Sequence, residues 1–371
     1  MLDKSQHEDR LLKVCRTAAL AMTSAALMAF TGCHFFHHSE AKATVVTSAH
    51  QASSMLPVDL TKVQPNEAGK IPIIMFHNIV GDKENDKKLQ YPPAMFRADL
   101  QWMYDHNYRP VSLTQFAEGK IDCPAGMSPV ILTFDDGLKT QYNITSDGKI
   151  DPNCAVGILE AFHAQHSDWP LRGTFFVLTD EDPTKPPPFY QKEFAQGKME
   201  HLVQDGFDIG NHTVHHKMGM EHMADSEVLY EFAGGVAGIH KYLPDYDVDT
   251  LALPYGVFPK NRKLLESGSS NGTSYKNICA LDAAWQPEVS PMSPDYKPFH
   301  LERVMAGAGF HQSRWWFNYL QQNQGEKFVS DGDPNTYTIS QMMTGDIDKA
   351  KVEKMGFHFR TYNGTQMVAS K

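Results

Sequence analysis

Three features are scarce in this chain of 371 residues. Cysteine is the first: only five occur, and Cys15 and Cys33 stand near the start, so no dense disulfide framework substitutes for a hydrophobic core. Long apolar runs are the second. The run from Thr17 to Phe30 falls short of the ~20 residues that cross a bilayer comfortably. Clustered positive charge is the third: the formal net charge is −10 with no basic stretch, which removes nucleic acid from the partners. The same acidic balance favours a neutral polymer over an anionic one. No internal repeat is visible, so a solenoid is excluded as well.

What is present is chemistry at strand ends. Val130-Ile131-Leu132 is short, aliphatic and β-branched, the pattern of a buried strand, and Gly137 ends it in a turn just after Asp135 and Asp136. Neighbouring strand residues face opposite ways, so the two carboxylates serve one site only if the turn bends the chain between them. A second segment, Gly206 to His216, reads as another short strand ending in a polar turn that carries His212, His215 and His216. With one helical turn there, His212 and His216 fall on one side. Added to a carboxylate they make a three-ligand metal site with a position left for water. His215 is the alternative to His216. A third strand, Ile71 to Phe76, ends in His77, whose ordinary pKa suits proton transfer near neutrality.

Thr133-Phe134-Asp135-Asp136-Gly137, His212-Thr213-Val214-His215-His216 and Leu253-Pro254-Tyr255-Gly256 resemble, in order, the first three signature motifs of the polysaccharide deacetylases, the NodB-homology or carbohydrate esterase family 4 domain. The resemblance covers roughly residues 71–345. It implies an α/β fold, a distorted (β/α) barrel in a single domain, with which the alternation of helix and strand patterns agrees. It also implies that Asp136, His212 and His216 hold a divalent metal, commonly zinc, that Asp135 is the general base, and that the Tyr255 backbone N–H faces the oxyanion behind Pro254. The strand before His77 is similar to that of the poly-N-acetylglucosamine deacetylase branch, which makes His77 the expected general acid, ahead of His300 and His311.

Two departures stand out. The family's third motif carries an arginine two residues before the proline, where this chain has Ala252, and Arg303 is the candidate to replace it in space. The fourth motif is partial: Asp282-Ala283-Ala284-Trp285 supplies Trp285 as a sugar-stacking candidate beside Arg303 and Pro254 in the substrate layer. The aromatic positions from Trp315 to Tyr319 have helical spacing, with packing on the sheet as their expected role.

Arg10, Lys13 and Arg16 before the apolar run, then Thr31-Gly32-Cys33, resemble a bacterial lipoprotein leader. The expected organisation is a leader over residues 1–33, a flexible tether over 34–70, the catalytic domain over 71–345 and a C-terminal extension over 346–371. Cys33 would then carry a lipid that anchors an exported enzyme to the membrane. In such an oxidising compartment Cys123 and Cys154 either pair across the insertion 141–153 or remain separate thiols. The expected activity is hydrolysis of N-acetyl groups on an N-acetylglucosamine polysaccharide. An O-acetyl esterase acting on xylan and a weakly catalytic glycan-binding protein are the rivals.

Overall fold

Seven parallel strands curve into a ring: β1 (Ile73–Phe76), β2 (Ser128–Asp136), β3 (Thr174–Val177), β4 (Asp208–Asn211), β5 (Thr250–Ala252), β6 (Cys279–Leu281) and β7 (Val304–Met305). The computed structural model describes residues 58–182, 184–283 and 286–363. The leader with Cys15 and Cys33 lies outside them, as does Trp285. In the ring β2 pairs with β1 on one side and β3 on the other, and β4, β5 and β6 follow in order. β7 pairs with the far edge of β1, through Ile74–Val304 and Met75–Met305. The segment just before β7 meets β6 in the parallel bridge Leu281–Leu301, so the last strand touches both edges and closes a distorted barrel.

Alternation along the strands sorts the core into two regions. Ile73, Ile131, Phe176, Ala252, Cys279, Leu281 and Leu301 belong to one buried cluster, whereas Ile74, Leu132, Phe134, Phe175, Leu251 and Val304 belong to another. The first fills the barrel and the second packs under the surrounding helices, the arrangement parallel strands need when both faces are covered. On the outer side Phe134 stacks on Phe175 and Phe76 with ring centroids 4.7 and 5.4 Å apart, locking β1 and β2, which lead into His77 and the two aspartates, to β3. Cys123 and Cys154 fall into different clusters and are free thiols, so of the two expectations the unpaired one holds.

The helices of the outer layer are α1 (Pro93–Asp105), α2 (Ala155–Gln165), α3 (Ala195–Asp205), α4 (Asp225–His240) and α5 (Ser313–Gln322). A parallel pair, β8 (Thr336–Ser340) and β9 (His358–Tyr362), with α6 (Lys349–Lys354) between them, builds a small separate core on Met292, Tyr337, Ile339, Val352 and Phe357. Two expected boundaries shift accordingly. Asn66 and Glu67 are buried, and Glu67 accepts from the backbone N–H of Asp331 and Thr338, so chain assigned to the tether is already stitched to the C-terminal part. The limit at residue 345 likewise falls between β8 and its partner β9.

One close approach sets how α4 sits on β4. The Asn211 side chain accepts from Thr213 N–H at 2.9 Å and donates to Phe232 C=O on α4 at 2.9 Å, and a methyl group on Gly235 would lie 2.0 Å from its Oδ1. Helix propensity alone favours alanine over glycine by about 1 kcal/mol. Here overpacking costs about 1–3 kcal/mol and the displaced amide leaves buried partners unpaired, so the clash wins. Gly235→Ala is therefore expected to lower the melting temperature, and a rise would show that α4 does not sit on Asn211.

Candidate active site

Asp135 and Asp136 end β2, and backbone conformation resolves the problem of their opposite facing. Asp136 adopts φ +77° and Gly137 φ +60°, so the chain turns sharply at the second carboxylate. Asp135 keeps its strand direction into the barrel, while Asp136 swings over the barrel end toward the histidines. The histidine turn is not the helical loop expected from the spacing. Thr213 at φ +69° and His216 at φ +51° fold it through the left-handed region, and the imidazoles of His212 and His216 end 4.8 Å apart. Left-handed conformations of bulky residues cost energy that the surroundings must offset, and they concentrate at functional sites. Here the buried Glu231 of α4 supplies the hold, accepting from the N–H groups of Val214 and His215 at 3.1 and 2.9 Å. It also binds the His215 ring at 2.6 Å, which turns that imidazole away and leaves His216 as the ligand candidate.

The donor set converges. Nε2 of His212 and Nε2 of His216 each lie 3.4 Å from Oδ1 of Asp136, and the three ligand atoms fall within 4.8 Å of one another. His212 Nδ1 hydrogen-bonds the Ala252 carbonyl at 2.9 Å, fixing the ring so that Nε2 points at the site. That Nε2 is buried with no hydrogen-bond partner, the condition a metal ligand meets without its ion. Two imidazoles and one carboxylate suit a tetrahedral divalent cation such as zinc with one position left for water.

Asp135 does different work. Nη1 and Nη2 of Arg303 grip its two oxygens at 2.7 and 2.8 Å, and both side chains are almost fully buried. The same guanidinium donates Nε–H to the Asp282 carbonyl at 2.6 Å and reaches Thr133 Oγ1 at 3.3 Å. Arg303 thus stands in space for the cation absent at Ala252. Most of its donors go to Asp135 and the frame, which makes it a positioning residue, and it also lines the cavity over Asp135. Burial pushes the Asp135 carboxyl up, but Arg303, then His212 and His77, outweigh it and hold the group below the usual carboxylate range.

His77 Nε2 lies 3.9 Å from Asp135 Oδ2. Burial lowers the His77 pKa more than the two aspartates raise it, so the ring rests neutral at pH 7. Gln141 ties the two strand ends together, donating to the backbone carbonyls of Asp135 and His77 at 2.5 and 3.1 Å. Burial likewise drops His216 to about 4. His300 pairs with Asp282 at 3.2 Å and His311 stacks on Phe310, and neither lines the cavity over Asp135.

That cavity, of about 300 Å³, is walled by Leu89, Leu138, Leu178, Leu253, Tyr190 and Tyr255 around the polar centre. Tyr255, at φ +58°, packs its ring 4.7 Å from His216. Pro254 is buried and does not line the cavity, which corrects its expected substrate role. Tyr190 had no sequence signal beyond the proline run before it. It is 41% exposed at the cavity rim, with Phe189 beneath it buried and bonded through N–H to the Gly137 carbonyl at 2.8 Å.

Residues 124–275 match the polysaccharide deacetylase family. No curated protein matches the chain. Solved structures resembling it include a candidate polysaccharide deacetylase of Bacillus anthracis, 18% identical over 67% of this chain and 68% of that one with a TM-score of 0.49. Two others are the deacetylase PplD of Streptococcus pyogenes in complex with acetate (20% identical, 65% and 93% covered, TM-score 0.47) and IcaB of Ammonifex degensii (17%, 64% and 92%, 0.46). Residues 124–275 thus match a polysaccharide deacetylase domain, and the barrel runs beyond them to take in β1 with His77 and β7 beside Arg303.

Proposed function

We propose that this protein hydrolyses N-acetyl groups on N-acetylglucosamine units of an envelope or secreted polysaccharide, with one divalent cation, releasing acetate and a free amine. The observation that carries the reading is the division of labour between neighbouring carboxylates: Asp136 faces His212 and His216, while Asp135 is held ionised by Arg303 with His77 beside it. A cation bound by Asp136, His212 and His216 supplies Lewis acidity that lowers the pKa of water and polarises the acetyl carbonyl. Asp135 takes the proton as water adds to the carbonyl carbon. That proton passes to neutral His77, which delivers it to the nitrogen as the carbon–nitrogen bond breaks. The backbone N–H of Tyr255 is assigned to the oxyanion. Leucines wall the cavity in which this exchange takes place.

An amine leaves far less readily than an alcohol, so a proton donor 3.9 Å from the base favours amide over ester cleavage. The leader-like segment ending at Cys33 supports an exported enzyme tethered by lipid. Among the described residues no helix is long and apolar enough to cross a membrane.

Metal-stripped protein is expected to release no acetate from N-acetylglucosamine oligomers and to recover with zinc, while Asp136→Asn fails to recover at the same zinc concentration. Release from acetylated xylan alone would make the protein an esterase, and release from neither substrate would favour a binding protein. His77→Ala should lower amide hydrolysis about 10²- to 10⁴-fold and spare an activated acetate ester. Equal loss on both substrates would remove His77 from the donor role.

A further inference from the structure

The loop after β7 leaves the same barrel end as Asp135 and carries an aromatic group that the catalytic reading does not use. Phe310 is 56% exposed, the most exposed aromatic ring among the described residues. It stacks on His311 with centroids 4.0 Å apart and meets the edge of Trp315 at 5.1 Å. One helical turn on, Tyr319 lies parallel to Trp315, with a centroid distance of 5.4 Å and an interplanar angle of 13°. α5 does pack on the sheet as its spacing suggests, through Trp316, Phe317 and Leu320, while Trp315 and Tyr319 lie half-buried at the edge of the core.

Local hydrogen bonds hold this group in place. Ala308 N–H donates to the Glu84 carboxylate at 3.2 Å, Gly309 N–H to Gln312 Oε1 at 2.5 Å, and Gly307 N–H to Ser313 Oγ at 3.1 Å. Met75, His77 and Leu89 wall both the catalytic cavity and a neighbouring hollow that includes Asp86 and Ala306. Asp86 in turn walls a third, open hollow with Glu84, Asn85, Lys87, Gly309 and Gln312, directly before Phe310. Shared wall residues thus lead stepwise from His77 to Gly309 and Gln312, in the loop that carries Phe310.

We propose that Phe310, Trp315 and Tyr319 form a shelf that binds sugar units of the substrate chain remote from the reacting acetyl group. This rests on the polysaccharide reading of the catalytic site. A pyranose ring presents a face of C–H groups that stacks on an aromatic ring, and a rim of polar groups that needs hydrogen-bond partners. Glu84, Asn85, Asp86 and Gln312 line the approach and supply such partners, and the two carboxylates outweigh the single cation Lys87, which disfavours an anionic polymer. The occupant is a neutral or partly amine-bearing hexosamine chain.

Two measurements on the full chain test the shelf, one of them independent of acetate release. In a native gel containing partly N-acetylated glucosamine polymer, the Asp135→Asn protein should be retarded, and adding Phe310→Ala should remove most of the retardation while Phe310→Trp restores it. In zinc-loaded protein, Phe310→Ala should raise KM for long chains about tenfold relative to KM for the N-acetylglucosamine dimer, with kcat little changed. A folded Asp135→Asn protein that the polymer does not retard overturns the shelf whether or not the enzyme is active. So does a Phe310→Ala variant with unchanged retardation, or one whose only change is loss of a dimer in sedimentation. Retardation that depends on Phe310, without acetate release from any amino sugar, would instead keep the shelf and reject the proposed reaction.

Discussion

The buried pair between Arg303 and Asp135 is the constraint on which the rest of the site depends. Its partners are 168 residues apart in sequence and meet only because β7 closes the ring against β1, the strand that also pairs with β2 and its Asp135. An isolated buried carboxylate would protonate, and an isolated buried guanidinium would cost several kcal/mol. Together, with Thr133 and the Asp282 carbonyl taking further donors, they allow an ionised base to sit inside an apolar barrel. Breaking such a pair from one side costs about 3–5 kcal/mol, so the same contact serves closure and chemistry.

Around that pair, curvature of the chain assigns roles to residues of one chemical type. Asp135 and Asp136 differ because one stays in the strand and the other lies at φ +77°. His215 and His216 differ because Glu231 captures the first. Tyr255 and His216, also left-handed, pack against each other at the rim. The strain is spread over several turns and borne by α4, whose Glu231 and close-packed Gly235 clamp the histidine segment.

Much of this was legible in the sequence where local pattern and function coincide. The apolar run before Asp135, the polar turn at His212 and the strand before His77 follow from alternation and punctuation alone, and the motif order supplied the family. What escaped depends on long-range geometry. Spacing suggests a helical turn for His212 and His216, but no local signal tells that Thr213 and His216 would adopt positive φ under the hold of Glu231. Arg303 could be named as a candidate for the missing cation, yet only the closure at Leu301 shows that it faces Asp135. Tyr190 reaches the cavity because Phe189 is anchored to Gly137, a contact across 52 positions that composition does not encode. The exposure of Phe310 and Trp315 likewise depends on which face of α5 meets the barrel.

The most direct test of the central claim is the pH dependence of kcat/KM in Arg303→Met and Arg303→Lys beside the parent protein. Arg303 holds the Asp135 pKa down, so the base is ionised above that value and lost as pH falls through it. Removing the cation takes away the largest influence opposing burial and raises the pKa, so the acidic limb of the Arg303→Met profile should move to higher pH, with Arg303→Lys between it and the parent. A folded Arg303→Met protein whose acidic limb coincides with that of the parent would contradict the account.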